Sequence, residues 1–313
     1  FRYSRPLSSY YRFFTPINRR CSETVHKPVR VKADRILQEQ KQKIVNKKLL
    51  HEQIAQEHGK KLARVENVDA KGSTRRWFKQ VTVDEFESKV CKGKTYRVLL
   101  DGRAILTPGN NVLWTPSEIL SYAVASEWEM QEKTITPHMM PLMSVCCTTL
   151  DHVPTKRDHA MSTMLGFILT DTLCYRAKKS MRRLYDAQVE YHQPVVEWFQ
   201  EKFNCPVNIV PEGKFEDAKQ ADILFQKTRV YLSNLSDWEI ASLYQLIENL
   251  KSFILGVALF EGRIDVDWAI KASRAEEHYQ ISQFGMVEAE HDVTETDIST
   301  KVGAAVFVGS LVK

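Results

Sequence analysis

At residue 115 the spacing of the apolar residues changes, and no other feature of this chain restricts its fold as much. Upstream, residues 76–83, 95–100, 104–106 and 112–114 are short β-prone runs, and Asp101, Gly102 and Arg103 between two of them have hairpin-turn chemistry. Downstream, apolar residues recur at helical spacing almost to the end of the chain. The predicted class is therefore α+β: a small N-terminal β domain over 75–114, then a larger α-helical domain over 115–313. The helix at the junction has a legible start. Thr115 suits the N-cap, Pro116 the first helical position, and Glu118 the carboxylate of a capping box. Ile119, Leu120, Ala123, Val124 and Trp128 form its apolar stripe, which assigns Trp128 to the core, while Ser117, Ser121, Glu129 and Glu132 fall elsewhere.

Further helices are expected over 142–150, 155–169 and 181–203, the last kinked or broken at Pro194. A brief extended segment at 207–210 precedes a helix over 217–232. Ser236 and Glu239 form a second capping box for a helix reaching about Phe260, where Gly262 stops it. Asp265 opens a helix through Ile281 that ends near Gly285, and a weaker one covers 294–308.

Charge divides the chain in two. Residues 1–79 carry 20 Lys and Arg against 7 Asp and Glu, net +13, and residues 80–313 carry 24 against 32, net −8. The mildly acidic body makes no claim on nucleic acid, whereas the segment 1–74 is a basic arm. Its first 22 residues hold five arginines, four serines and no acid, the composition of a mitochondrial transit peptide, with a basic tail as the alternative. Residues 31–65 read as a thinly amphipathic helix. Arg12, Arg19, Arg20, Arg30 and Lys32, interleaved with Tyr10, Tyr11, Phe13 and Phe14, suit phosphate pairing and base stacking. Through them the arm would contact ribosomal RNA or attach the chain to a large mitochondrial ribonucleoprotein, the alternative to an import signal.

Several function classes are excluded or left without a motif. Cys21, Cys91, Cys146, Cys147, Cys174 and Cys205 include no Cys-x-x-Cys pair, which indicates a reducing compartment. His138, His152 and His159 lie near Cys146 and Cys147 but match no zinc spacing, so no metal is expected. The longest apolar run, 253–260, falls well short of the ~20 residues that cross a bilayer, so no membrane span is expected. Gly93-Lys94-Thr95 imitates the end of a phosphate-binding loop, but Ser88 stands where its first glycine belongs and a strand follows where a helix is needed. No catalytic signature is present, and the chain is read as a non-enzyme. The remaining polar clusters are Glu127-Trp128, Asp171 with Tyr175-Arg176, and residues 276–280.

Five groups of residues do form a recognisable series: Arg76-Trp77-Phe78-Lys79; Leu100-Asp101-Gly102-Arg103 with Thr107-Pro108; residues 125–131, Ala-Ser-Glu-Trp-Glu-Met-Gln; Thr170-Asp171 with Tyr175-Arg176; and residues 273–280, Ser-Arg-Ala-Glu-Glu-His-Tyr-Gln, followed by Phe284-Gly285. In order and spacing they resemble the mitochondrial ATP synthase complex assembly factor 2 family, over roughly residues 75–300. The resemblance implies a two-domain chaperone of the mitochondrial matrix, without a cofactor. Such a chaperone holds the newly imported α subunit of the ATP synthase catalytic head until β subunits replace it. Where that family has Trp-Gly this chain has Phe284-Gly285, and Ala275 replaces its usual Leu, so less apolar surface is offered at that end. Glu276, Glu277, Tyr279, Gln280 and Phe284, with Asp171 and Arg176, are the expected partner-binding residues. The acidic pair would meet Arg or Lys on the client.

Overall fold

A turn that only glycine and a few other residues tolerate sets the register of the β region. Asp101 and Gly102 both take positive φ, 49° and 73°, so a two-residue turn joins β3 (Lys94–Leu100) to β4 (Arg103–Ala104) with Leu99 opposite Ala104. The Asp101 carboxylate also accepts the amide protons of Lys79 (3.0 Å) and Gln80 (2.9 Å), which positions β2 (Val81–Glu87). β2 runs antiparallel to β3 from Val81↔Leu100 to Glu87↔Lys94, and β5 (Trp114–Thr115) pairs with β3 at Arg97 and Tyr96. A separate short ladder joins β1 (Thr74–Arg75) to β6 (Thr134–Ile135). This computed structural model describes residues 74–87, 93–210 and 218–313, which belong to one compact unit. The expectations for the basic arm lie outside the described residues.

The helical portion follows, as α1 (Glu118–Glu129), α2 (Pro141–Cys147), α3 (Val153–Gly166), α4 (Arg182–Phe203), α5 (Asp222–Asn234), α6 (Asp237–Leu250), α7 (Phe253–Phe260), α8 (Val266–Ser273), α9 (Ala275–Phe284) and α10 (His291–Val312). One core is helical, centred on the wholly buried α7 and on Phe199, Leu232, Leu243 and Val302. A second joins Val98 and Leu100 of β3, and Leu113 just before β5, to Leu120, Val124 and Trp128 of α1, and Trp238 of α6 and Val308 of α10 reach into it. α1 thus buries its face against the sheet.

The start of α1 differs from expectation. Thr115 is paired in β5, so it cannot cap. The N-cap is Ser117, and Thr115 instead donates its hydroxyl to the Ser117 carbonyl (2.7 Å) and lies 2.8 Å from Ser121 Oγ. Glu118 becomes the first helical residue and is exposed, with no capping-box bond. The buried face also differs from the expected stripe: Ile119 is 61% exposed, while Ser121 and Glu127 are buried beside Leu120, Val124 and Trp128.

Other boundaries moved for local reasons. Between α2 and α3 the chain passes through one π turn, Thr148–His152, instead of breaking. Pro194 does not break α4: Pro194 and Glu190, whose carbonyl it leaves free, are both exposed, so water can satisfy that oxygen. The helix expected from 237 to 260 is two, because Lys251 turns left-handed (φ 55°) and Ser252 caps Leu255 afresh. Arg274 (φ −110°, ψ 17°) likewise splits α8 from α9. The extended segment at 207–210 is reduced to one parallel bridge, Tyr175↔Val210. The capping box of Ser236 and Glu239 is present as expected.

Candidate partner-binding surface

The polar residues of the recurring motifs are mostly occupied inside the molecule. Arg76 donates to the carbonyls of Glu129 (3.0 Å) and Phe78 (3.2 Å) and lies over the Phe78 ring, whose edge meets Trp128 at 5.7 Å. The first motif therefore closes the C-terminal end of α1. Trp128 is 4% exposed. Glu127, one residue earlier, accepts the amide protons of Leu142 (2.7 Å) and Met143 (2.8 Å), tying α1 to the first turn of α2. Burial pushes its carboxyl up from 4.5 to about 7, against those two bonds. Gln131 continues the join, donating to the Glu127 carbonyl and accepting from Thr136 N.

Asp171, expected at a partner surface, is inside, and Arg176 keeps only part of its surface in solvent. Asp171 is fully buried and accepts from Leu173 N (3.0 Å), Ser252 Oγ (2.7 Å) and Ile254 N (2.9 Å), so one carboxylate holds the 172–174 turn and the start of α7 together. Burial raises it from 3.8 to about 6. A side chain with no exposed surface cannot touch a partner in this conformation. Arg176, partly buried, donates to the Leu173 carbonyl (2.8 Å) and Gln193 Oε1 (3.0 Å), and burial lowers its pKa.

The last motif does reach the surface. Arg274, 3% exposed, donates to Glu277 Oε1 (2.8 Å) and to the His291 carbonyl (3.0 Å), and His291 Nδ1 lies 2.9 Å from the same carboxylate oxygen. This cluster fastens the start of α10 to α9 across the chain between them. Glu276 accepts from Gln188 Nε2 of α4 (2.6 Å). Both members of the acidic pair are thus bonded within the molecule while keeping part of their surface in solvent. Tyr279 is half-buried and Gln280 exposed. Beyond them Gly285 (φ 88°) ends α9, and the apolar side chains around the turn face outward: Phe284 is 88% exposed, Met286 61%, Val287 52% and Val293 57%. The expectation included Phe284 but not the three that follow it, although Met286 and Val287 are visible as apolar residues between a helix-ending glycine and an acidic run.

Among the described residues no group of three or more His, Cys, Asp or Glu is placed to hold a metal ion, and no helix is long and apolar enough to cross a membrane. Cys146, Cys147, Cys174 and Cys205 are free thiols. Burial pushes Cys147 up to about 12 and Cys146 well above its usual value, so neither is a thiolate near neutrality.

Residues 75–200 match the family model described as ATP12 chaperone protein. Protein ATP12, mitochondrial, of Saccharomyces cerevisiae is 29% identical over 254 residues, covering 68% of this chain and 78% of that protein. Protein atp12, mitochondrial, of Schizosaccharomyces pombe is 24% identical over 250 residues, covering 77% and 84%. Among solved structures, Atp12 from Paracoccus denitrificans aligns with a TM-score of 0.66 at 28% identity, over 76% of this chain and all but 2% of the other, since 98% of it is covered. A putative chaperone from Agrobacterium tumefaciens shares the fold with a TM-score of 0.68 at 24% identity, over 87% and 100%. These comparisons lend no support to the reading of the chain as a ribonucleoprotein component attached through its arm.

Proposed function

We propose that this chain, whose residues 75–200 match the ATP12 chaperone family and whose body shares its fold with a solved Atp12, binds the unassembled α subunit of the ATP synthase catalytic head in the mitochondrial matrix. It shields the face of that subunit which β subunits later cover. It acts by binding, with no chemical step and no cofactor. The observation that carries this reading is the outward-facing group Phe284, Met286, Val287 and Val293 within ten residues of chain. A folded monomer usually exposes large apolar side chains singly, and a cluster rimmed by charge marks a protein interface. Exposed Glu288, Glu290 and Asp292 are interleaved with these residues along the chain, and Glu276, Glu277 and Gln280 stand on the helix that precedes them. Because Arg274, Glu277 and His291 already fasten both ends of the segment, presenting it requires little ordering on binding.

Replacing Phe284, Met286 and Val287 together with serine tests the proposal. The side chains contribute little to the fold, so the melting temperature should stay within a few degrees, while co-purification of the α subunit should fall by about tenfold or more. Undiminished capture by a folded triple variant would place the client elsewhere.

A further inference from the structure

The other flank of α9 carries a cleft that none of the residues above accounts for. Helices α4 and α9 approach each other where both carry alanine, Ala187 and Ala275, and the small side chains leave a cavity of about 350 Å³ closed on its third side by α8. Its walls are Tyr191 and Tyr279, and around it stand Arg183, Lys271, His278 and Ser282. Arg183 and Lys271 are exposed, and neither has an ion-pair or hydrogen-bond partner among the described residues. His278 Nε2 lies 3.9 Å from a Glu295 oxygen, and on the outer rim Arg182 is paired with Asp186 at 3.6 Å. The Tyr191 wall is braced from behind: Trp268 donates its indole proton to the Tyr191 carbonyl (3.2 Å), and the two rings meet edge to face at 5.1 Å.

We propose that this cleft is a docking site for an acidic peptide segment of the client, one that places an apolar or aromatic side chain between Tyr191 and Tyr279 and flanking carboxylates on Arg183 and Lys271. The site rests on the chaperone reading given above but uses a different face of α9. Charge complementarity selects this occupant. Two unpaired cations in a body of net charge −8 over residues 80–313 attract carboxylates locally, and with Glu295 beside His278 and Arg182 already paired with Asp186 they suit a short acidic segment better than a dense polyanion such as polyphosphate or nucleic acid. The aromatic walls offer apolar area together with phenol hydroxyls, the combination that anchors peptide side chains.

Binding of a fluorescein-labelled peptide, Glu-Glu-Phe-Glu-Glu, to the full chain by anisotropy tests the site. Saturable binding should weaken with salt, and should weaken about tenfold or more in Arg183→Glu/Lys271→Glu, and with a Gln-Gln-Phe-Gln-Gln peptide. Both substitutions are at exposed positions, so an unchanged melting curve confirms that the variant is folded. Lys271→Ala, expected to show a smaller loss, guards against an effect of the new negative charge alone. No binding to the parent, equal binding to parent and double variant, or displacement by inorganic tripolyphosphate at lower concentration than by unlabelled peptide would each overturn the proposal. Capture of the α subunit separates the two readings. If the parent captures it and the double variant captures it equally, the cleft is not used and the chaperone reading stands. If the parent captures none, that reading fails, and with it the assignment of the segment to this client.

Discussion

The Glu127 carboxylate sits where α1 meets α2 and accepts two amide protons there while almost out of solvent. Its carboxyl is raised from 4.5 to about 7, so between those values the folded state binds more protons than the unfolded one. Its contribution is therefore fully present below pH 4.5 and lost as pH rises through 7, and Asp171, raised to about 6, acts in the same direction over a narrower window. Urea midpoints of the parent measured from pH 5 to pH 8 should include a decline from Glu127 of roughly 2 kcal/mol, and Glu127→Gln should flatten that part of the profile. An identical slope in parent and variant would show that Glu127 titrates normally. The neighbouring Trp128 packs on Phe78 and lies against the sheet core, so Trp128→Arg should cost at least about 3 kcal/mol, both by emptying an aromatic site and by burying an unpaired charge. A parent-like thermal melt of that variant would contradict the core assignment. Trp128 was legible from helical spacing alone, whereas the role of Glu127 was not, since its partners are backbone amides fifteen and sixteen residues away that no side-chain pattern announces.

Elements were legible wherever one period held for several turns, and their boundaries were lost where a single backbone angle decided. The hairpin at Asp101-Gly102 and the helical stripe of α4 follow from local chemistry. The breaks at Lys251 and Arg274 do not, because neither residue carries a strong stop signal. Ser252, bonded to the distant Asp171, takes over the capping at the first break, and Arg274, held by Glu277 and His291, marks the second. The cleft beside α9 was invisible for the same reason, as its residues come from three helices whose packing only the fold supplies. The break at Lys251 lets α7 fold back on α6, and the contact is close: a Cβ on Gly256 would stand 2.4 Å from Ile247 Cγ1 and 3.2 Å from its backbone nitrogen. Gly256→Ala should therefore destabilise the helical core by about 1–3 kcal/mol despite the better helix propensity of alanine. A stabilised variant, read from its urea midpoint, would show that α6 and α7 have room to separate.

Across the whole molecule the motifs that carry the family resemblance are chiefly devices that hold the body together, and the client surface proposed above lies beside them at the end of α9. Arg76, Glu127, Asp171 and Arg274 each bond within the molecule, so these motifs point to the fold more directly than to the interface. The basic arm is a separate matter. All five motifs follow residue 75, so deletion of residues 1–74, with an unrelated import signal supplied, should leave capture of the α subunit intact. Most direct is a reconstitution with purified components: the full chain is mixed with unassembled α subunit, the complex is isolated by gel filtration, and β subunit is then added. The account predicts a stable complex with the α subunit that β subunit displaces, leaving this chain free. An α subunit that elutes alone beside the correctly folded chain, or a complex that retains this chain after β subunit has bound the same face, would contradict it.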